Sequence, residues 1–472
     1  MGCPEAHSGE WGRLDAAIAT FVARHAHRAR QRTQEWKEAK AGSVGGSEVA
    51  ALMGHNRYSS FLDVVAAKAG LSVFGGNTAC RWGTFFEGVI ERFVALDCGT
   101  TLRGTDVSVP APPGSALEGL HANSPDGYCV VELLPGGGGG EPRLRTGDAP
   151  GGGGRPAAVL LEFKCPLSRR PTGGVPRHYL PQLWSGLALS PPAEYGLFVD
   201  AVFRKCSLGD LGASPLYDTR FPPRRDGAPE TPDPRWAGAV AWGFAAVYAP
   251  FAPEAGALVD YARAGAELAR DALGAPPPGG PGAAADPVDF GECGAGLFEK
   301  ALACIDGGGF AVEHVGPRTC SKQGAPLDTG REVGAALRAR EAAPPGHYLL
   351  GVIPWKLLEV DYVFVERREG FLGEIEPLVG EALAAASAVR AAPDPSAAFR
   401  AFAATRRGRA GGPRPGPLHA LFDAAGDDFA AGDAAAPPPA PGGPGPLHAL
   451  FDAAGDDLAY PSAGNFPDAP RG

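Results

Sequence analysis

The chain has 472 residues and a formal net charge of −10 at pH 7, with 69 glycines and 48 prolines. This length allows two or three average domains, or one large domain with tails. Glycine and proline are concentrated in a few stretches, so the rest retains enough apolar periodicity for a sizeable core. Nine cysteines without a C-x-x-C pair argue against a disulfide framework and a structural zinc site.

The negative charge is distributed unevenly. The segment 411–472 contains eight aspartates, no glutamate and two arginines, so more than half of the net charge lies there. A local basic groove elsewhere in the chain is compatible with the acidic total, and a nucleic-acid partner is therefore not excluded.

Apolar residues at spacings of three and four predict helices in the first hundred residues, over 11–40, 47–52, 60–69 and 82–96. Ser47 is the expected N-cap of the second helix. Gly70 is the expected residue after the C-cap of the third helix.

Alternating and β-branched residues then predict strands, over 107–109, 128–131, 157–163, 195–203, 347–353 and 357–365. Helices are predicted over 178–189 and 376–391. The uncharged segment 236–253 is too weakly hydrophobic for a membrane span and favours a buried core helix. The glycine-rich segment 134–156 is typical of a flexible hairpin insertion.

These patterns divide the chain into a helical portion (1–75), a core (76–410) and a low-complexity acidic tail (411–472). The tail repeats 13 residues, 416–428 and 445–457, and it is predicted to be disordered. Each copy has apolar residues at helical spacing, which suits an induced helix in a partner's groove, but a neutral duplication explains the repeat equally well.

Three residues suggest phosphodiester chemistry. Asp126 stands in a Ser-Pro-Asp-Gly turn before a predicted strand, and Glu162 and Lys164 lie two apart on a later strand, so their side chains share one face. Two carboxylates can hold a divalent metal ion, and a lysine beside them can act on the attacking water. Each motif alone is also found in ordinary turns and edge-strand ion pairs.

Two more residues extend this set. Glu87 lies on a predicted aromatic helix upstream and could project into the site. Gln182 begins the helix after Lys164 and could orient a phosphate or the water. The order helix-Glu, strand-Asp, strand-Glu-x-Lys, helix-Gln is specific.

These elements resemble the PD-(D/E)xK nuclease superfamily, and more narrowly the lambda-type exonucleases and herpesvirus alkaline nucleases. The segment from Trp36 through Lys40 and Gly42 to Ser47 is similar to a family segment that binds the 5′ phosphate of DNA, with Lys40 in place of the usual arginine. The resemblance implies an α/β fold with a central mixed sheet flanked by helices. The 134–156 insertion and the composition favour the herpesvirus branch.

The resemblance also implies two-metal hydrolysis with Mg²⁺, for which Mn²⁺ is a possible substitute. Asp126, Glu162 and the Phe163 carbonyl would bind one ion, and Glu87 would help to hold the second. Lys164 would position the attacking water or lower its pKa, and Lys40 and Ser47 would bind the 5′ phosphate.

The function implied is a 5′→3′ deoxyribonuclease with endonuclease activity that processes viral replication and recombination intermediates. Its partners would be duplex DNA with 5′ ends and a viral single-strand annealing protein, and no membrane is expected as a partner. The location implied is the host nucleus, with the cytoplasm as a second location. The alternatives are a related nuclease that cleaves host messenger RNA and a non-catalytic recruitment scaffold.

Overall fold

The computed structural model describes residues 5–25, 40–72, 78–135, 142–146, 154–167, 169, 171–205, 240–250, 301, 311–319 and 346–408. The contacts divide the chain into Met1–Ala420 and Leu421–Gly472. The tail repeats, Trp36 and most of the predicted insertion lie outside the described residues.

The helices predicted over 11–40, 47–52, 60–69, 82–96, 178–189 and 376–391 each overlap a helix of the structure. The helices in this part of the chain are α1 (Glu5–His25), α2 (Gly46–Leu52), α3 (Phe61–Lys68), α4 (Thr78–Asp97), α5 (Leu180–Leu189), α6 (Phe371–Ala391) and α7 (Pro395–Gly408). Gly70 follows the end of α3 with φ +78°, as predicted for a residue after a C-cap. None of the helices in the described ranges is long and apolar enough to cross a bilayer.

The strands form two sheets. The strands are β1 (Val44–Gly45), β2 (Val109–Pro110), β3 (His121–Asn123), β4 (Gly127–Leu134), β5 (Arg143–Leu144), β6 (Arg155–Lys164), β7 (Tyr195–Lys205), β8 (Ala241–Pro250), β9 (Ala311–Thr319) and β10 (His347–Glu366). The large sheet has the order β5-β4-β6-β7-β10-β8-β9, and the small one β1-β3-β2. In the large sheet β6 and β7 are parallel and the other neighbours antiparallel. The predicted mixed α/β core is confirmed.

Helices cover both faces of the large sheet. Ala158 and Leu160 of β6 pack in a core with α2, α3, α5 and α6, whereas Val159 and Leu161 pack on the other face against the aromatic side of α4. This alternation follows from the two-residue period of a strand. The odd-numbered and even-numbered residues of β6 therefore pack against different helices.

The prediction of a buried helix over 236–253 is wrong. Residues 241–250 form β8, which pairs with β10 on one side and β9 on the other. Nearly every residue of the strand is buried, so the side chains that point to either face of the sheet are apolar. A continuous apolar run has no period that distinguishes such a strand from a buried helix.

Two further details differ from the sequence prediction. The two strands expected within 347–366 are one continuous strand, β10, in which Pro354 pairs with Phe244.

The N-cap of α2 is Gly45 rather than Ser47. The Gly45 backbone is extended because it belongs to β1, and its N–H donates to Glu48 Oε2 at 2.7 Å. Ser47 is therefore an exposed residue of the first helical turn.

Candidate active site

Asp126 lies immediately before β4, at the point where this strand meets β6. Its N–H donates to the Leu161 carbonyl at 3.1 Å, and its Oδ2 accepts a hydrogen bond from the Phe163 N–H at 2.5 Å. Gly127 follows with φ +149°, a conformation that side chains rarely adopt. The turn thus needs this glycine, and it holds the Asp126 carboxylate against β6.

Glu162 and Lys164 share one face of β6, as predicted from their spacing. Lys164 forms an ion pair with Glu162, whose side chain is almost fully buried, whereas 23% of the Lys164 side chain is exposed. The Gln182 side chain of α5 lies close enough to Glu162 to lower the pKa of this carboxyl. The structure therefore brings Asp126, Glu162, Lys164 and Gln182 together.

The electrostatics of this cluster are unfavourable to the ionised carboxylates. Burial raises the pKa of Asp126 well above its usual value, and the charge of Glu162 raises it further. Burial likewise raises the pKa of Glu162, although Lys164 opposes this. Burial lowers the pKa of Lys164, but the two carboxylates outweigh that, and this pKa ends above its usual value. Lys164 is therefore an ammonium group in this arrangement.

Glu87 approaches the cluster from α4, on the opposite face of the sheet. Its charge contributes to the raised pKa values of both Asp126 and Glu162. Within the described ranges, however, no three His, Cys, Asp or Glu side chains are gathered closely enough to hold a metal ion. The structure thus brings Glu87 into electrostatic range without completing a three-ligand group.

The residues present fit a divalent cation such as Mg²⁺. Glu162 Oε2 is buried and has no hydrogen-bond partner among the described residues. The Phe163 N–H points towards Asp126, and in an extended strand the carbonyl of the same residue points to the same side. Mg²⁺ is typically held by one or two carboxylates, with water and substrate oxygens completing its shell. Such an ion would also relieve the repulsion between the two carboxylates.

Lys40 and Ser47 lie around Gly45 at the start of α2. A Cβ at Gly45 would lie 3.7 Å from Lys40 Cε and 4.0 Å from Ser47 Oγ. The nearly buried Lys68 donates to the Lys40 carbonyl at 2.8 Å and forms a 2.9 Å ion pair with Glu48. Lys68 and Glu48 were not predicted from the sequence, because only the fold brings α3 beside α2.

His121 connects this segment to the strand that leads to Asp126. Its Nδ1 lies 2.8 Å from the Val44 carbonyl and its Nε2 2.6 Å from Ser185 Oγ. A carbonyl only accepts hydrogen bonds, so Nδ1 carries the proton and Nε2 accepts from Ser185. This buried imidazole ties β1, β3 and α5 together.

A neutral buried histidine makes stability depend on pH. Burial lowers the pKa of His121 below its ordinary 6.5, and the Val44 carbonyl opposes this only in part. The stabilisation is thus present above pH 6.5 and is lost as the pH falls, because the unfolded chain binds the proton first. We expect His121→Gln to lower the melting temperature at pH 7.5. Between pH 7.5 and 5.5, however, the melting temperature of this variant should fall by less than that of the wild type. Equal losses in thermal melts of both proteins would contradict this role.

Three residues beside Lys164 were missed as site components. Asp200 of β7 is buried and forms a two-pronged ion pair with Arg169, one bond of which is 3.0 Å long. The Lys164 Nζ lies 5.1 Å from the centre of the Tyr179 ring. Tyr179 stands three residues before Gln182, at a spacing that brings side chains to one face of a helix, and this signal could have identified it.

Part of the chain matches a known protein domain. Residues 35–191 match the YqaJ-like viral recombinase domain. This segment contains every residue proposed for the site, from Lys40 to Gln182.

Two similar proteins come from African swine fever virus. The protein of isolate Tick/Malawi/Lil 20-1/1983 is 36% identical over 200 residues, which are 41% of this chain and 56% of that protein. Its counterpart in strain Badajoz 1971 Vero-adapted is 35% identical over 211 residues, 44% of this chain and 59% of that protein. The chain thus spans less than two thirds of the length of these relatives.

Among solved structures, the chain is similar to an alkaline exonuclease, LHK-Exo, from Laribacter hongkongensis. The identity is 22%, and the match covers 36% of this chain and 74% of that one with a TM-score of 0.24. This TM-score is too low to establish a common fold.

Proposed function

We propose that this protein is a Mg²⁺-dependent deoxyribonuclease of the lambda-exonuclease-like PD-(D/E)xK type. The observation that carries the proposal is the convergence of Asp126, Glu162, Lys164 and Gln182, within the segment that matches the viral recombinase domain. Two buried carboxylates with raised pKa values and a lysine beside them are suited to metal-dependent hydrolysis.

Each residue has a separate task in this proposal. Asp126, Glu162 and the Phe163 carbonyl would hold one ion, and Glu87 would help to hold the second. Bound ions of this kind activate the attacking water and stabilise the leaving oxygen of the phosphodiester. Lys164 positions the water as an ammonium group, and Gln182 orients it or a phosphate oxygen.

The polarity of cleavage depends on the start of α2. Lys40 and Ser47 would bind the 5′ phosphate of a duplex end, which would set the 5′→3′ direction of digestion. Endonuclease activity is part of the same proposal and does not depend on this phosphate. Lysine supplies the charge without the two-pronged geometry of arginine. The processing of viral recombination intermediates, a viral annealing protein as partner, the herpesvirus branch and the host nucleus belong to the same proposal, which rests here on the sequence resemblance.

The direct test is a nuclease assay of the full chain on 5′-phosphorylated duplex DNA, 5′-hydroxyl duplex DNA and single-stranded RNA. We expect cleavage of the phosphorylated duplex with Mg²⁺ or Mn²⁺, loss of cleavage in EDTA, and recovery when Mg²⁺ is restored. Cleavage that persists in EDTA would contradict metal-dependent hydrolysis. Equal rates on hydroxyl and phosphorylated ends would remove the role of Lys40 and Ser47, and faster cleavage of RNA would favour the RNA-cleaving alternative.

A further inference from the structure

A row of aromatic rings extends from Lys164 to the protein surface. The Tyr179 ring lies beside Lys164, the His178 ring is 4.0 Å from Tyr179 between ring centres, and the Tyr58 ring is 5.8 Å from His178. Tyr58 comes from the loop between α2 and α3 and is 55% exposed, which is unusual for a large aromatic side chain. The fold thus joins two distant segments into one surface next to the carboxylates.

Cations accompany these rings. The Arg57 guanidinium lies 4.5 Å from the centre of the Tyr58 ring, and that of Arg169 lies 5.8 Å from the centre of the Tyr179 ring. Arg57 and Arg177 are exposed, and neither forms a salt bridge within the described part of the chain. Arg169, by contrast, is paired with Asp200. We call Arg57, Tyr58, Arg169, Arg177, His178 and Tyr179 the aromatic–basic strip.

The local field on this surface is positive. Burial lowers the pKa of His178, and Arg57, Arg169 and Lys164 lower it further. Burial, Arg177 and Arg368 act in the same direction on the pKa of His55. Both imidazoles are therefore neutral at pH 7. His178 thus presents an uncharged aromatic ring that is surrounded by the positive charges of Arg57, Arg169 and Lys164.

We propose that the aromatic–basic strip binds unpaired nucleotides of a DNA strand, with their bases against Tyr58 and the adjacent rings and their phosphates on Arg57 and Arg177. Exposed aromatic rings stack with bases of any sequence, and arginines along them track the backbone. Paired bases in a duplex are already stacked, so the rings favour a single strand. The strip ends at Lys164 and would lead that strand to the carboxylates; this part rests on the proposed function.

The test measures binding separately from cleavage. In the full-length Asp126→Asn protein, fluorescence anisotropy gives the Kd for labelled dT20 and for a blunt duplex of the same length. We expect Tyr58→Ala in this background to weaken dT20 binding about 10-fold and duplex binding less than about twofold. Tyr58→Phe, which keeps the ring and removes the hydroxyl, is the matched control and should bind dT20 like its parent.

A second measurement does not depend on the ring. Replacing Arg57 and Arg177 by glutamine should reduce the dependence of dT20 binding on salt, by roughly 0.7 in log–log slope for each phosphate that is no longer neutralised. Unchanged dT20 binding by Tyr58→Ala, or equal weakening for dT20 and duplex, would overturn the proposal. Cleavage by the Asp126→Asn protein would instead refute the proposed function and leave the binding result intact.

Discussion

Replacing Asp126 by asparagine is expected to reduce Mg²⁺-dependent cleavage of duplex DNA by roughly 1,000-fold or more, since metal ions supply several kcal/mol of transition-state stabilisation. Asparagine keeps an oxygen that can accept the Phe163 N–H but lacks the charge that holds the cation. Initial rates on 5′-phosphorylated duplex at saturating Mg²⁺ measure the effect.

Stability distinguishes this loss of function from misfolding. Burial and the charge of Glu162 raise the pKa of Asp126, so the ionised carboxylate is unfavourable in the fold. Without Mg²⁺, the asparagine variant should therefore melt at the same temperature as the wild type or higher. Glu376→Gln, which removes an exposed carboxylate on α6, should change neither the cleavage rate nor the melting temperature. A fully active Asp126→Asn protein would remove the site assignment.

Replacing Gly243 by alanine is expected to destabilise the protein by about 3 kcal/mol, at the upper end of the usual cost of overpacking. A Cβ at this position of β8 would lie 2.5 Å from the Val315 carbonyl oxygen of β9 and would also collide with the Trp355 ring. Trp355 is fully buried and cannot move aside without disturbing the core. Chemical denaturation of the full chain measures the difference.

The sign of the change in the free energy of unfolding distinguishes a strand from a helix at Gly243. If residues 236–253 formed a helix, Gly243→Ala would stabilise it by about 1 kcal/mol, the usual difference between these residues in a helix interior. Gly88→Ala is the matched control, because Gly88 is exposed within α4 and a Cβ there would meet nothing within 4 Å. We expect this control to be neutral or stabilising. A stabilising Gly243→Ala would contradict the strand.

The sequence predicts the local parts of the site well. The shared face of Glu162 and Lys164 follows from the two-residue period of a strand, and the turn at Asp126 follows from the glycine after it. The helix that carries Gln182 follows from its apolar spacing. These features depend on neighbours within a few residues, so they can be recognised in a single sequence.

The segment 241–250 shows where such reasoning fails. Its residues are apolar almost without interruption, so neither the helical nor the strand period is visible. Pairing with β9 and β10, which come from residues far along the chain, decides that it is a strand. The N-cap of α2 is similar, since Gly45 is extended only because β1 pairs with β3.

The sequence by itself thus predicted which residues would carry the chemistry, and it determined most of the elements that hold them. Only the tertiary structure decided what surrounds them. It places Asp200 and Arg169 beside Lys164, leaves Glu162 Oε2 without a hydrogen-bond partner among the described residues, and brings the rings of Tyr58 and His178 into one row. The physical reason is that side-chain periods are set by the local backbone, whereas burial, charge pairing and the resulting pKa shifts depend on segments that meet only when the sheet has formed.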